Sequence, residues 1–137
     1  MTEPIKIGFI GGGPRANSLY SSLFFNKNNE DKIEPVAVMD TNKSVVMEWK
    51  YKVENLCSSL DELFKLDIDA AIIATPPDTH ASLSVKCLEV GISTWCEVPM
   101  GLTIDELYAI LDADKSNKSS NNRGKYAYGE NTCYYLQ

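Results

Sequence analysis

Histidine occurs once in this 137-residue sequence and cysteine four times. Cys57, Cys87, Cys96 and Cys133 stand far apart, without a C-x-x-C pair, and the lone His80 cannot complete a zinc ligand set with them. No metal centre is expected, and the thiols read as reduced and mostly buried. Positive clusters are also lacking. Thirteen Lys and Arg stand against nineteen Asp and Glu, a net charge of −6, which removes the electrostatic footprint that nucleic-acid binding needs. No run approaches the roughly 20 consecutive apolar residues of a membrane span. The opening "MTEPIKIGFIGGG" has neither a basic n-region nor a cleavage site. These absences lead to the expectation of a cytoplasmic protein with neither a nucleic-acid nor a membrane partner. No internal repeat is visible.

What is present is ordinary for a globular chain: 44% hydrophobic and 23% charged residues. The length suits one domain over residues 1–137, able to bury about two-thirds of its unfolded surface. Short apolar runs at Ile5–Ile10, Glu34–Asp40, Asp69–Thr75 and Ser93–Glu97 read as strands, with a last one at Lys125–Glu130. Their apolar residues are nearly continuous instead of alternating, which suggests strands covered on both faces, as in a parallel sheet. Helix-like stretches fall between them, at Pro14–Phe25, Lys43–Val53, Asp78–Val90 and Thr103–Ala113. Ser59-x-x-Glu62 and Thr103-x-x-Glu106 have the form of capping boxes, and Gly91 stands where a helix ending near Val90 needs a left-handed residue. The polar stretch Asp114–Gly124 reads as an exposed loop. This alternation predicts a doubly wound α/β fold with a mainly parallel sheet, a Rossmann fold, joined by right-handed crossovers. The chain stops just after the last predicted strand, as an N-terminal fragment or truncated product of something longer would.

Directly after the first strand comes "GGGPRA", which fits G-x-G-x-x-G/A with Gly11, Gly13 and Ala16 at the marked positions. Gly11 permits a tight turn, Gly13 lets the backbone approach a pyrophosphate, and Ala16 lets the helix pack close to the strand. Pro14 costs nothing in a first helical turn, whose amides have no intrahelical acceptor and favour an anion. The second strand ends in Asp40, a carboxylate placed to accept from the adenosine ribose hydroxyls and to repel a 2′-phosphate. NAD is therefore expected in preference to NADP. The inserted "FFNKNNEDKIEP" sets Asp40 further downstream than the usual spacing of about 20 residues. The bland alternatives are a plain strand-to-helix turn and, for Asp40, a helix cap. Thr75-Pro76-Pro77 ends the third predicted strand at the sheet edge where ligands of open α/β sheets bind. His80, taken alone, reads as a packing or surface residue, and neither tryptophan carries a readable function.

Taken in order, "GFIGGGPRA", "ATPPDTH", "CEVP" and "GEN" resemble the N-terminal dinucleotide-binding domain of the glucose–fructose oxidoreductase/inositol dehydrogenase (Gfo/Idh/MocA) family. The resemblance spans essentially the whole chain. It implies hydride transfer between NAD or NADP and a sugar-like small molecule held against a second, C-terminal α/β domain. That family usually has Glu-Lys-Pro where Glu97-Val98-Pro99 stands here, the lysine assisting proton transfer at the reacting hydroxyl. Val98 removes that role, so no catalytic residue is assigned within this chain.

"CEVP" followed by "ENTCY" is similar to a subgroup that includes the NAD-dependent glycosidases of glycoside hydrolase family 109. Those enzymes oxidise a sugar transiently, eliminate the glycosidic bond, add water and reduce again. By that resemblance Pro14, Arg15, Asp40, the segment Pro77–His80, Glu97, Val98 and Asn131 contact NAD. The subgroup pattern has tryptophan where Pro77 stands. The competing reading, motivated by Val98, is a non-catalytic NAD-sensing or scaffolding domain. Self-association into a homo-oligomer stays open at this point.

Overall fold

A computed structural model describes residues 3–119 and 126–128. Asn131 and Cys133 lie outside them. The described strands are β1 (Ile5–Ile10), β2 (Ile33–Met39), β3 (Asn55–Cys57), β4 (Ala70–Ile73), β5 (Ser93–Cys96) and β6 (Tyr126–Tyr128). They form one six-stranded sheet in the order β3-β2-β1-β4-β5-β6, and every neighbouring pair is parallel. The order reverses at β1, from which one half of the sheet is laid down leftward and the other rightward. This is the expected Rossmann fold.

The helices are α1 (Pro14–Phe24), α2 (Lys43–Met47), α3 (Leu60–Phe64), α4 (His80–Glu89) and α5 (Ile104–Ser119). Successive residues of each central strand serve opposite faces. Phe9, Val38 and Ile72 pack on the α1/α2 side with Leu19 and Trp49. Ile10, Ala37, Ala71 and Ile73 pack on the other side with Leu63 and Cys87. Both faces being covered explains why the strands read as unbroken apolar runs. α5 packs on α4 through Ala81, Leu88, Ile110 and Ala113.

Most predicted elements lie within a residue or two of their observed bounds, and the departures have physical causes. β3 is only "NLC", too short and too polar to register as a strand, and it is held by pairing with Ala37–Met39. Regular helix ends at Met47 instead of Val53. Beyond it the amides of Glu48, Trp49 and Lys50 reach back three residues, to Val45, Val46 and Met47, as tightened turns. The polar stretch beginning at Asp114 is not a loop at its start, because α5 runs on through Ser119. No glycine or proline interrupts the chain between Thr103 and Gly124 to stop it. Pro35 inside β2 coincides with a break in the β1/β2 register between Ile7 and Gly8, as expected where a strand residue lacks its N–H.

The caps form with one shift. Thr103 Oγ1 accepts from Glu106 N at 3.2 Å, and Glu106 Oε2 accepts from Thr103 N at 3.2 Å. At α3, Ser59 Oγ accepts from Glu62 N, but the Glu62 carboxylate reaches past the cap residue to Ser58 N and Oγ. Those bonds hold the Glu62 carboxyl below its ordinary pKa. Gly91 has φ 81° after α4, the left-handed stop its position predicts. Among the described residues no helix is long and apolar enough to cross a membrane.

Candidate functional site

The carboxyl ends of β1, β2, β4 and β5 open onto one edge of the sheet, and backbone bonds carry the ladder one step beyond each strand. Gly11 N donates to Met39 O at 2.8 Å and Asp40 N to Cys57 O at 3.2 Å. Ala74 N donates to Ile10 O at 2.9 Å and Glu97 N to Ile73 O at 3.0 Å. The four turns that carry most of the predicted site residues are thereby fixed relative to one another.

A cavity of about 490 Å³ lies along this edge, within the size range of small-molecule clefts. Gly11 and Gly13 form its base, Asp40 and Thr41 one side, and Thr75 and Pro76 the other. Thr79, Ser82 and Leu83 extend the second wall along the start of α4.

The glycines divide the work. Gly11 has φ +88°, and a Cβ there would lie 2.6 Å from the Ala74 carbonyl oxygen, so both conformation and space demand glycine. At Gly13 a Cβ would meet no protein atom within 4 Å. The bare backbone at Gly13 therefore faces open space, which is what close approach of a ligand requires. Gly13 is also the N-cap residue of α1 and contributes no side-chain cap, which leaves the first-turn amides to an external acceptor. Ala16 is fully buried between α1 and the sheet.

Asp40 does not cap α2. That cap is Asn42, whose side chain accepts from Ser44 N. Asp40 Oδ2 instead accepts from Gly12 N at 3.0 Å, and Oδ1 accepts from Asn42 N at 2.9 Å. Two amides thus orient the carboxylate beside the glycine turn, with acceptor capacity left for further donors.

At the other end, the exposed Arg15 on the first turn of α1 pairs bidentately with Glu97 after β5, Nε to Oε2 at 2.8 Å and an Nη to Oε1 at 3.1 Å. Val98 next to it is 57% exposed. Pro14 and Pro77 are exposed near the cleft mouth. His80 is placed differently. It is 1% exposed, with Nδ1 2.7 Å from Pro99 O and Nε2 2.7 Å from Thr75 O. It lies inside the wall, tying the β4 turn to the segment after β5, and its side chain is closed off from the cleft.

Three side chains that sequence reading passed over support the turn from behind. Trp49 Nε1 donates to Gly12 O at 2.8 Å. Asn17 Nδ2 lies 3.1 Å from both Gly12 O and Gly13 O, and the Lys52 ammonium donates to Asn17 Oδ1. The signal was present but unreadable: "GGG" shows that Gly12 has no side chain, and only the fold shows that Trp49 fills the space. No group of three or more His, Cys, Asp or Glu among the described residues could hold a metal ion.

The family model of the oxidoreductase family, NAD-binding Rossmann fold (Gfo/Idh/MocA), matches residues 5–120. A glycosyl hydrolase family 109 protein of Shewanella baltica is 30% identical over 147 residues, covering 98% of this chain and 31% of the relative. An alpha-N-acetylgalactosaminidase of Shewanella oneidensis is also 30% identical, with the same coverage of 98% and 31%. The chain thus spans about a third of the length of these relatives. Among solved structures, the WlbA dehydrogenase of Chromobacterium violaceum in complex with NADH and UDP-GlcNAcA superimposes with TM-score 0.82 at 20% identity, covering 94% of this chain and 36% of that one. Myo-inositol 2-dehydrogenase of Lactobacillus plantarum gives TM-score 0.78 at 21% identity, covering 93% and 36%.

Proposed function

Because this chain belongs to the Gfo/Idh/MocA oxidoreductase family with its NAD-binding Rossmann fold, we propose that it is the cofactor domain of an enzyme acting on a sugar or sugar-like substrate, with NAD preferred over NADP. The observation that carries the reading is the glycine turn. Gly13 faces open space, the first-turn amides of α1 need an acceptor, and Asp40 stands beside them.

The residues present fit a dinucleotide. Gly11 would shape the turn and Pro14, which has no N–H, would start α1, while the amides of Gly13, Arg15 and Ala16 and the helix dipole would hold the diphosphate. Asp40 would accept from the adenosine ribose hydroxyls, and its negative charge would oppose a 2′-phosphate. Thr75, Pro76 and Pro77 would form the opposite wall, with His80 fixing its position from behind. Glu97 and Val98 would lie against the nicotinamide end, and Asn131 would complete the set. The nicotinamide, when bound, supplies a hydride acceptor and donor. Proton transfer at a substrate hydroxyl needs a separate acid/base, a role worth about 100- to 10,000-fold, and Val98 cannot supply it. That group and the residues that select the substrate would belong to a further α/β domain outside this chain.

Two chemistries fit this reading: plain dehydrogenation, as in the oxidoreductase family, and the transient-oxidation glycosidase cycle that the resemblance to glycoside hydrolase family 109 implies. Val98, which cannot carry a proton where the family usually has lysine, motivates the alternative reading, a non-catalytic NAD-sensing or scaffolding domain. Calorimetric titration of the chain with NAD, NADH and NADP tests the cofactor assignment. Binding of NAD with a Kd between about 1 µM and 1 mM, the ordinary range for enzyme ligands, is expected. NADP binding as tight as NAD would overturn the stated preference.

A further inference from the structure

Trp49 lies in the turns after α2, is fully buried, and spends its only polar atom on the carbonyl of Gly12. Among the described residues that carbonyl also has Asn17 Nδ2 within 3.1 Å, and Asn17 in turn accepts from the Lys52 ammonium. The ammonium sits over the faces of both Trp49 and Tyr20, 5.1 and 5.6 Å from the ring centroids. The arrangement is a continuous chain from a cation, through an amide and an indole, to one carbonyl of the glycine turn.

We propose that Trp49, with Asn17 and Lys52, is a positioning unit that sets the orientation and donor strength of the glycine turn toward a diphosphate. This rests on the reading of the turn as the cofactor's phosphate site. The Gly12 carbonyl and the Gly13 N–H belong to the same peptide unit. Donors held on the carbonyl fix the plane of that peptide and polarise it, leaving its N–H a stronger donor on the opposite side. The backbone beside that N–H is open, since a Cβ at Gly13 would meet no protein atom within 4 Å. A Cβ at Gly12 would lie 2.9 Å from Trp49 Nε1, so the indole and the turn are packed against each other as well as hydrogen-bonded. The Asn17 amide, polarised by Lys52, acts on the same oxygen and on Gly13 O.

The test is the indole N–H resonance of Trp49 in 15N-labelled chain, assigned by its loss in Trp49→Phe. It should move on titration with ADP-ribose or inorganic pyrophosphate and stay still with adenosine, which lacks a phosphate. Trp49→Phe keeps a buried ring and should weaken NAD and ADP-ribose about five- to tenfold. Lys52→Met should weaken them by a smaller factor, and the two losses should be less than multiplicative because both act on one carbonyl. If Trp49→Phe fails to fold, the wild-type resonance, assigned instead as the indole signal that persists in Trp95→Phe, and Lys52→Met still decide. An unmoved indole signal with wild-type NAD binding intact overturns the positioning role alone. Absence of NAD binding by the wild-type chain overturns both this role and the cofactor reading.

Discussion

Arg15 and Glu97 meet in a bidentate pair that joins the first turn of α1 to the end of β5 across the candidate site, with hydrogen bonds of 2.8 and 3.1 Å. The guanidinium side chain is 53% exposed and the carboxylate side chain 14%. An exposed pair of this kind contributes modestly, about 0.2–1 kcal/mol. Arg15→Met, Glu97→Gln and the double variant, compared by urea unfolding, should give a coupling in that range that shrinks in 1 M salt. A coupling unaffected by salt would contradict the exposed geometry.

Asp40 carries the expected discrimination between cofactors. Its oxygens accept from Gly12 N and Asn42 N and retain lone pairs for hydroxyl donors. Asp40→Ala removes a charged acceptor, for which about 1.5–3 kcal/mol is typical. NAD affinity should therefore fall by roughly 10- to 150-fold, and NADP affinity far less. Equal losses for the two, measured by calorimetry, would remove Asp40 from the ribose site.

His80 joins two backbone segments through both ring nitrogens. A neutral imidazole has one N–H, so a single tautomer donates to only one of the two carbonyls. His80→Leu strips the donor from one carbonyl inside a buried wall. A loss of about 1–3 kcal/mol is expected for leaving a buried polar group unsatisfied. Unfolding by urea reads it, and a change below about 0.5 kcal/mol would show that the histidine only fills space.

Much of this was legible in the residues. "GFIGGGPRA" combines an apolar run, glycines and a first-turn proline, each with a local consequence, so β1, the turn and α1 could be placed without tertiary information. Asp40 followed from the same logic. What could not be read depended on contacts between distant segments. β3 exists because β2 offers it a pairing edge, and α5 extends past Asp114 because nothing in "DKSNKS" terminates a helix once it has started. His80 and Trp49 were opaque for the same reason. A residue type does not reveal that its nitrogen will meet a carbonyl 37 positions away, as Trp49 does at Gly12.

The cysteines allow a check on the core. Burial raises the Cys87 pKa to about 12, and burial, followed by the charge of Glu62, raises that of Cys57. The reactive thiolate is therefore suppressed at both positions at pH 8. Iodoacetamide at that pH, followed by peptide mass spectrometry, should leave Cys57 and Cys87 unmodified in the folded chain and label them in 8 M urea. Labelling of Cys87 in the folded chain at a rate comparable to that in urea would contradict the packing between α4 and the sheet.

The proposed dinucleotide site is the sheet's carboxyl edge, built on the glycine turn. Backbone amide mapping during NAD titration tests it most directly. Saturable shifts are expected at the amides of Gly11–Gly13, Arg15, Ala16, Asp40 and Thr75, with Lys6, Glu54 and Asp67, at the opposite edge where strands β1, β3 and β4 begin, unmoved. Titration to 10 mM NAD with no saturable shift at Gly13 or Asp40, or with shifts confined to the Lys6 edge, would contradict it.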